Sequence, residues 1–258
     1  MKIPVFMYHA VYESTLEQLE GADPFYAVSL DRFIEQIELC KKNNKPICSI
    51  SDIIIKNTNE NKCCIFTFDD GHISNYKAAK VLHQFGYTAD FFINSANIGV
   101  EHYLNEQHII DMVQWGMSIQ SHGHNHFYIN DLSTSEVHNQ LLTSKKLIED
   151  ITKKNVNIFA PPGGRINSMV EQIAFDHGYD AITNSIPGLW VDSSNKVSIP
   201  RLPILNSTGM KVYESWLQAK SLVIFKLYFI YQLKKLMKVV LGNGSYDKLR
   251  IFLLKLLS

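Results

Sequence analysis

Two short clusters of polar residues in this chain have the residue types and the spacing of a catalytic metal site. Asp69 and Asp70 lie side by side within the segment Thr67–Gly71, directly after an apolar run. Further along, His122 and His126 stand four positions apart. One carboxylate and two imidazoles can hold a divalent cation and leave coordination positions open, as a catalytic site requires. The second carboxylate is then available as a general base.

Each cluster follows a predicted β-strand. Cys63–Phe68 is a continuous apolar run, which is typical of a buried strand, and Met117–Ser121 is a second short strand. Buried parallel strands place chemistry at their carboxyl ends, where both clusters lie. Neighbouring side chains on an extended backbone point in opposite directions, so the two aspartates need not share a role. His122 and His126 would share a face if one helical turn follows the strand.

Strand-like and helical segments alternate along most of the chain, which indicates βα units around a parallel sheet. The length of 258 residues, 46% of them hydrophobic and 19% charged, suits one barrel-sized domain or one domain with a small appendage. Helices are predicted from Ser29, from Ile73 to Gly86, over Asn105–Gly116 and from the capping box at Ser133. The predicted strands are Ile3–Met7, Pro46–Ile50, Cys63–Phe68, Thr88–Ile93, Met117–Gln120, Asn157–Ala160, Ala181–Asn184 and Val197–Ile199. Seven or eight such units predict an α/β fold of the (β/α) barrel type.

The charge of the chain is concentrated in its C-terminal part. Residues 216–258 carry eight lysines and arginines against one acid, a net charge of +7, which leaves −7 on the remainder of a neutral chain. This asymmetry predicts two parts, residues 1–208 as the barrel and residues 209–258 as a basic amphipathic helical tail.

The tail is apolar as well as basic. Leu222–Tyr231 is apolar except for Lys226, and it is shorter than the ~20 apolar residues that a spanning helix needs. A second amphipathic stretch, Tyr246–Leu257, follows the break at Gly242–Ser245. Such helices can lie in a membrane interface, where anionic lipid attracts their lysines. The alternatives are packing on the barrel and homo-oligomer formation. Nucleic-acid binding is not expected, because the basic residues lie in an apolar tail.

The motifs of this chain resemble those of the polysaccharide deacetylase family, the metal-dependent carbohydrate de-N-acetylases. Thr67–Gly71 matches the first motif of the family, and residues 122–126 match the second, with Gly123 where Ser or Thr is usual. Phe159–Gly164 matches the third motif loosely, and Tyr8–His9 is also common in bacterial members. The resemblance covers about residues 1–205 and implies a distorted barrel of seven units.

The resemblance also implies roles for individual residues. Asp70, His122 and His126 would hold the metal, expected to be zinc, and Asp69 would be the base that activates metal-bound water. The reaction would be attack on the acetamido carbonyl of an amino sugar, giving acetate and an amine. The backbone N–H of Gly163, at the matching position of the third motif, would help to hold the oxyanion.

Three departures from the family pattern lead to substitute residues. The arginine that orients the base is replaced by Ala160, so Arg165, or as second choice Arg201, would supply the orienting guanidinium in the substrate-binding site. The late histidine that acts as general acid is absent, since no histidine follows His177, and His9 at the end of the first strand is the replacement. The tryptophan motif has no clean copy, and Trp190 is the nearest candidate for stacking on a sugar ring.

Together these observations favour a de-N-acetylase acting on a lipid-linked or nucleotide-linked amino-sugar precursor in bacterial surface polysaccharide biosynthesis. The missing arginine and histidine motivate one alternative, a non-catalytic metal-containing carbohydrate-binding protein. A second alternative is a deformylase or an O-deacetylase on a similar substrate.

The four cysteines lack zinc-type spacing and are expected to be reduced, and the N-terminus resembles a first strand rather than a signal peptide. Both features favour the cytoplasm, with peripheral contact at the inner membrane as an extension.

Overall fold

The structure is a computed structural model that describes residues 2–13, 15–16, 19–56, 63–191 and 196–241. Its strands are β1 Ile3–Tyr8, β2 Ala10–Tyr12, β3 Ala27–Ser29, β4 Ile47–Cys48, β5 Cys64–Phe68, β6 Asp90–Ile93, β7 Ser118–Ser121, β8 Ile158–Phe159, β9 Ala181–Ile182, β10 Leu189–Trp190 and β11 Leu202–Pro203. Its α-helices are α1 Leu30–Lys42, α2 Ile50–Lys56, α3 Ser74–Gln84, α4 Glu106–Gln114, α5 Thr134–Thr152, α6 Ser168–Asp176, α7 Met210–Leu217 and α8 Ser221–Leu241.

The main sheet curls into a ring of parallel strands. β1, β5, β6, β7, β8 and β9 pair in that order. A parallel bridge between Thr183 and Ile199 connects β9 to the segment that leads into β11, and β11 pairs in parallel with β1. The ring therefore has seven parallel positions, and the predicted distorted (β/α) barrel of seven units is confirmed.

Alternate residues of the strands face two different cores, because side chains on a strand alternate between its faces. Phe6, Phe66 and Phe91 belong to the larger core between the strands and the helices. The barrel interior is a second, smaller core, with Val5 and Ile65 among its members. Every residue of β1 and β5 is buried, because these strands pack on both faces.

The helices predicted from capping signals are present with small shifts. Ser29 accepts a hydrogen bond from the backbone of Arg32 and begins α1, and Ser133 with Glu136 forms the capping box of α5. The predicted strand at Pro46–Ile50 is shorter than expected, since Ile50 is the first residue of α2. The predicted strand at Val197–Ile199 is reduced to the single bridge at Ile199.

Several elements were not anticipated from the sequence. These are α2, α6, the small parallel sheet of β2 and β3, and the antiparallel strand β10. The four cysteines form no disulfide, as expected, and three of them are buried.

The tail begins with a helix that belongs to the barrel wall. α7 buries Tyr213, Trp216 and Leu217 in the larger core, and the Tyr213 ring stacks on Phe6 with centroids 4.7 Å apart. The boundary predicted at residue 208 stays a prediction, although this packing ties the first helix beyond it to β1. α8 extends the predicted segment 222–231 to Leu241. The predicted stretch Tyr246–Leu257 lies outside the described residues.

Candidate active site

The polar residues predicted to do chemistry meet at the carboxyl end of the barrel. Along β5, Ile65 and Thr67 face the interior, and Asp69 is the next residue in that row. Along β7 the corresponding row ends at His122, which is buried like Asp69. Strand periodicity therefore directs both side chains inward at the same end of the barrel.

Asp70, His122 and His126 form a cluster with the composition of a metal site. Their ligand atoms all lie within 4.8 Å of one another. Oδ1 of Asp70 is 3.3 Å from Nε2 of His122 and 3.2 Å from Nε2 of His126. Within the described part of the chain this is the one group of three or more such ligands.

The backbone that carries this cluster is not helical. Residues 122–126 form a loop with bends at His124 and Asn125, so the helical turn that would place His122 and His126 on one face is absent. His126 has a φ of 55°, and Asp70 has a φ of 75°. The left-handed region is costly for residues with a Cβ, and such strain is concentrated at functional sites. The loops, rather than one helix face, bring the three ligand atoms together.

A second contact prepares His122 to act as a ligand. Its Nδ1 lies 2.6 Å from the carbonyl oxygen of Ala160, which can only accept, so Nδ1 carries the proton. Nε2 then presents a lone pair towards the carboxylate of Asp70. A histidine fixed by a backbone carbonyl is the usual arrangement around a bound metal. Two electron-rich atoms that face each other at this distance fit a shared cation, so the residues present suit a divalent metal.

The electrostatics of the cluster agree with this interpretation. Burial by itself would raise the pKa of Asp70, but contacts with His122 and His126 hold it well below its ordinary value. The contact with Asp70 also raises the pKa of His126. Without a cation, the stable arrangement is a carboxylate beside a protonated imidazole, and a bound cation would take the place of that proton.

Asp69 has a different partner. Nη1 and Nη2 of Arg201 donate to Oδ1 and Oδ2 of Asp69 at 2.6 and 2.8 Å, and the arginine is fully buried. Burial tends to raise the pKa of Asp69, but the charge of Arg201 and its hydrogen bonds to the carboxylate lower it overall. Nε of Arg201 donates to the carbonyl oxygen of Asn184, and Nη1 also donates to Thr67. Asp69 is therefore an ionised carboxylate held in one orientation.

The preference for Arg165 as the orienting arginine is wrong. Arg165 lies on the surface, with its guanidinium 3.9 Å from the centroid of the Tyr128 ring and 4.0 Å from the carboxylate of Asp131. Arg201, the second choice, is the arginine whose guanidinium pairs with Asp69. The reason is the closure of the barrel, which places Arg201, directly before β11, beside β1 and β5.

His9 lies at the same end of the barrel, as predicted. Its ring packs on Tyr26 with centroids 4.6 Å apart, and its backbone oxygen accepts from Asn75. Burial lowers the pKa of His9, while the charges of Asp70 and Asp69 oppose that change. Nδ1 of His9 is buried without a hydrogen-bond partner among the described residues. His9 therefore has a buried nitrogen without a partner, at the end of the barrel that contains the two carboxylates.

The loop after β8 also lies beside the cluster. Ala160, whose carbonyl holds His122, is followed by Pro161 and a 3-10 turn over Pro162–Gly164. Gly163 has a φ of 66°, and a Cβ there would come 2.7 Å from Cε1 of Tyr128. Glycine is thus required by the backbone and by the neighbouring ring. Gly163 is exposed, so its backbone is accessible to a ligand.

The structure contradicts the proposed role of Trp190. This residue pairs with Ile3 at the start of β1, which is the end of the barrel opposite to the cluster. Its side chain is 2% exposed and belongs to the interior core with Ile50 and Ile53. A buried indole at the wrong end cannot stack on a sugar. No pattern in the sequence indicated that this segment forms an antiparallel strand at the amino end of the barrel.

Tyr128 is an aromatic residue at the site that sequence reasoning missed. Its side chain is 47% exposed, and the ring lies between Gly163 and Arg165. The available signal was its position two residues after His126, in a loop with a second exposed aromatic residue, Phe127. An exposed aromatic ring beside a cluster of catalytic residue types is suited to ligand contact.

Comparison with known proteins agrees with the geometry. Residues 56–182 match the family described as polysaccharide deacetylase. The chain is 34% identical over 128 residues to "Putative polysaccharide deacetylase YxkH" of Bacillus subtilis, covering 49% of this chain and 46% of that protein. It is 32% identical over 126 residues to the peptidoglycan-N-acetylglucosamine deacetylase of Bacillus cereus, covering 48% and 57%. The matched region thus spans about half the length of these curated relatives.

A solved structure extends the similarity over most of the chain. The polysaccharide deacetylase BC0361 of Bacillus cereus superposes with a TM-score of 0.76 at 26% identity, covering 84% of this chain and 69% of that one. The similarity therefore reaches beyond the segment that contains the aspartates and histidines.

Proposed function

We propose that this chain, which matches the polysaccharide deacetylase family over residues 56–182, is a hydrolase that removes the N-acetyl group from an amino sugar of a glycan or glycan precursor. The observation that carries the proposal is the convergence of Asp70, His122 and His126 beside an Asp69 that Arg201 keeps ionised. Acetate and a free amine would be the products.

The three clustered residues would hold a divalent cation, expected to be zinc. When bound, the cation supplies a Lewis acid that polarises the acetamido carbonyl and makes water more acidic. Asp69 would accept a proton from the attacking water, because its carboxylate is ionised and fixed. The backbone N–H of Gly163 would donate to the oxygen that becomes negative during attack.

His9 would transfer a proton to the leaving nitrogen. Three observations support this role: its position at the end of β1, the charges of both aspartates beside it, and the unpartnered Nδ1. An amine is a poor leaving group unless it is protonated as the bond breaks, so a general acid at this position is required. His9 would fill the role for which the chain has no histidine after His177.

The exposed ring of Tyr128 would take the role expected of Trp190, contact with the face of a sugar ring. It borders the loop that carries Gly163, so a sugar resting on it would bring its acetamido group near the cluster. The lipid-linked or nucleotide-linked carrier, the role in surface polysaccharide biosynthesis and the cytoplasmic location belong to this proposal as its finer parts.

One of the two observations that favoured the non-catalytic protein no longer supports it. That observation was the absence of an arginine at position 160, and Arg201, directly before β11, supplies a guanidinium to Asp69 instead. The deformylase and O-deacetylase alternatives differ only in the acyl group and the bond, so product analysis separates them.

The test measures metal content and product release on the same protein. We expect the wild type loaded with zinc to release acetate from N-acetylglucosamine oligomers and from nucleotide- and lipid-linked N-acetylhexosamines. His122→Ala/His126→Ala should lose both the metal and the acetate, because only one of the three ligands remains. Metal binding with formate as the product, or with an ester as the only substrate cleaved, would replace the proposal by one of its alternatives.

Two further variants separate binding of the metal from chemistry. Asp69→Asn should keep the metal and lose activity by about 10²–10⁴-fold, the usual contribution of a general base. His9→Gln should also keep the metal and lower kcat more than it raises KM. Glycan binding by the wild type with no turnover of any donor would support the non-catalytic protein instead.

A further inference from the structure

The helix α8 exposes a continuous apolar stripe. Along one side it carries Leu222, Phe225, Phe229, Leu233 and Leu236, which are 85, 65, 61, 49 and 59% exposed. Their spacing of three and four residues places them on one face of an α-helix. Scattered exposed hydrophobic residues are ordinary on a protein surface, but five in one row on one helix mark an interaction surface.

The opposite side of α8 is already occupied by the barrel. Ile224 is buried, and Val223 and Leu227 pack against the larger core. The exposed stripe is therefore not the face by which the helix attaches to the protein. Apolar residues on two opposite faces indicate two different contacts, one of which is intramolecular.

The charge of α8 indicates the chemistry of the second contact. The helix contains four lysines (Lys226, Lys234, Lys235 and Lys238) and no acidic residue, and exposed Lys220 directly precedes it. Lysines attract anionic lipid head groups, while an aromatic and aliphatic stripe enters the boundary between head groups and acyl chains. A second copy of the same helix would bring like charges together, which opposes pairing of two stripes.

The length and composition of the helix fit a position on the surface of a bilayer. No helix in the described part of the chain is long and apolar enough to cross a membrane. A basic helix that has an exposed apolar stripe and does not span the membrane has the features of an interfacial helix.

The direction of α8 relates the stripe to the candidate active site. The helix begins at Ser221, whose hydroxyl is 3.4 Å from Nζ of Lys2 at the amino end of β1. Its residue Tyr231 lies within the electrostatic reach of Arg165, which follows the loop at the carboxyl end of β8. α8 therefore runs along the outside of the barrel, from the end opposite the candidate active site towards the end that contains the site. The helix continues from Tyr231 to Leu241, about 15 Å at 1.5 Å per residue.

We propose that the stripe on α8 docks the protein on the surface of an anionic phospholipid bilayer, with the mouth of the barrel beside that surface. The apolar side chains of the stripe would enter the interface, and the exposed Lys220 and Lys226 would contact lipid phosphates. A glycan attached to a lipid carrier would then be presented to the site from the membrane side. That last consequence depends on the proposed deacetylase function, whereas the docking does not.

The test is sedimentation of the full chain with vesicles. We expect the wild type to sediment with phosphatidylglycerol vesicles, to bind phosphatidylcholine vesicles much less, and to be released by salt. Phe225→Ser/Phe229→Ser/Leu233→Ser should weaken binding more than about tenfold, because the inserted apolar area is lost. Lys220→Gln/Lys226→Gln should weaken binding to the anionic vesicles by roughly fivefold per lysine.

A matched control replaces exposed valines outside α8. Val100→Ser/Val191→Ser/Val212→Ser removes residues that are 50, 56 and 40% exposed and should bind vesicles like the wild type. A single variant, Phe229→Trp, adds an indole to the stripe, and its fluorescence should shift to the blue when anionic vesicles are added. This variant keeps the stripe apolar and does not depend on the folding of the triple variant.

Other outcomes would overturn the docking proposal. Equal binding by the wild type and the triple stripe variant would exclude the stripe as the contact. A wild-type dimer that the same three substitutions convert to a monomer, without vesicle binding, would assign the stripe to a second copy. A monomer that ignores vesicles and loses thermal stability in the triple variant would assign it to residues 242–258 of the same chain. Acetate release from a soluble oligomer, measured without vesicles, tests the deacetylase separately and should be unchanged in the stripe variants.

Discussion

The barrel interior holds a buried aspartate at each end, and the two carboxyl groups are shifted in opposite directions. At the carboxyl end, Asp69 is paired with Arg201, and its pKa is lowered. At the amino end, Asp90 begins β6 and is also fully buried, and burial raises its pKa to about 7. Its donors are neutral, namely the backbone N–H of Ile50 at 2.5 Å and the hydroxyl of Ser51.

The difference shows that burial alone does not make a base. Removing a carboxylate from water favours its neutral form, and neutral donors offset only part of that effect at Asp90. A buried guanidinium reverses the result at Asp69, because it places a full positive charge against both oxygens. The two ends of the barrel thus use the same residue type for different purposes: an ionised group at the site, and a structural carboxyl beneath it.

The largest expected effect comes from removing the positive charge of Arg201, which distinguishes the site from the other end of the barrel. Arg201→Met should leave Asp69 buried without its partner, which costs about 3–5 kcal/mol of stability. Activity should fall by about 10²–10⁴-fold, because Asp69 then favours its neutral form and its orientation is no longer fixed. Urea denaturation and kcat/KM measure the two effects, and metal content should stay unchanged.

The conservative variant makes this prediction more specific. Arg201→Lys keeps the charge but loses the two parallel hydrogen bonds, so it should recover part of the stability and less of the activity. If Arg201→Met retained full activity, Asp69 would not need a buried cation, and the contrast with Asp90 would lose its functional meaning.

The second effect concerns the other end of the barrel and depends on pH. Because the pKa of Asp90 is about 7 in the folded protein against an ordinary 3.8, the folded state binds more protons than the unfolded state between those values. Its contribution to stability therefore declines as pH rises from about 4 to about 7, by roughly 4 kcal/mol in total at ~1.4 kcal/mol per pH unit. Asp90→Asn, which stays neutral, should lack this decline.

Denaturation of wild type and Asp90→Asn at a series of pH values measures the difference. The variant should be the more stable protein above pH 7 by up to the same amount, with little difference below pH 4. Asp52, which lies close to Asp90 and adds to the upward shift, is present in both proteins. Parallel stability curves for the two proteins would show that Asp90 is ionised in the fold.

The smallest expected effect compares an aromatic residue at each end. Tyr128→Ala should raise KM for an oligosaccharide by about tenfold and change stability little, since its half-exposed ring contributes contact area and not core packing. Trp190→Phe at the other end should do the reverse, lowering stability by about 1–3 kcal/mol through a cavity and leaving KM unchanged. A change of KM in Trp190→Phe with none in Tyr128→Ala would return the sugar-stacking role to Trp190.

The parts of the fold that the sequence predicted share a strong local signal. β1 and β5 are continuous apolar runs, and α1 and α5 begin at serines that cap their first turns. The unexpected elements are short, and α2 in particular has seven residues. In such a segment periodicity is too brief to distinguish a helix from a loop.

The site was predictable to the same extent. The two aspartates and two histidines of the site have distinctive types and spacing and lie after predicted strands. The sequence therefore determined the ligand types, the candidate base and the end of the barrel where they meet. Tertiary structure alone decided three features of the site: the choice between Arg165 and Arg201, the position of Trp190 and the exposure of Tyr128. The physical reason is that all three features depend on contacts between residues distant in the chain. Ring closure through Thr183 and Ile199 sets Arg201 against Asp69, and the pairing of β10 with β1 buries Trp190.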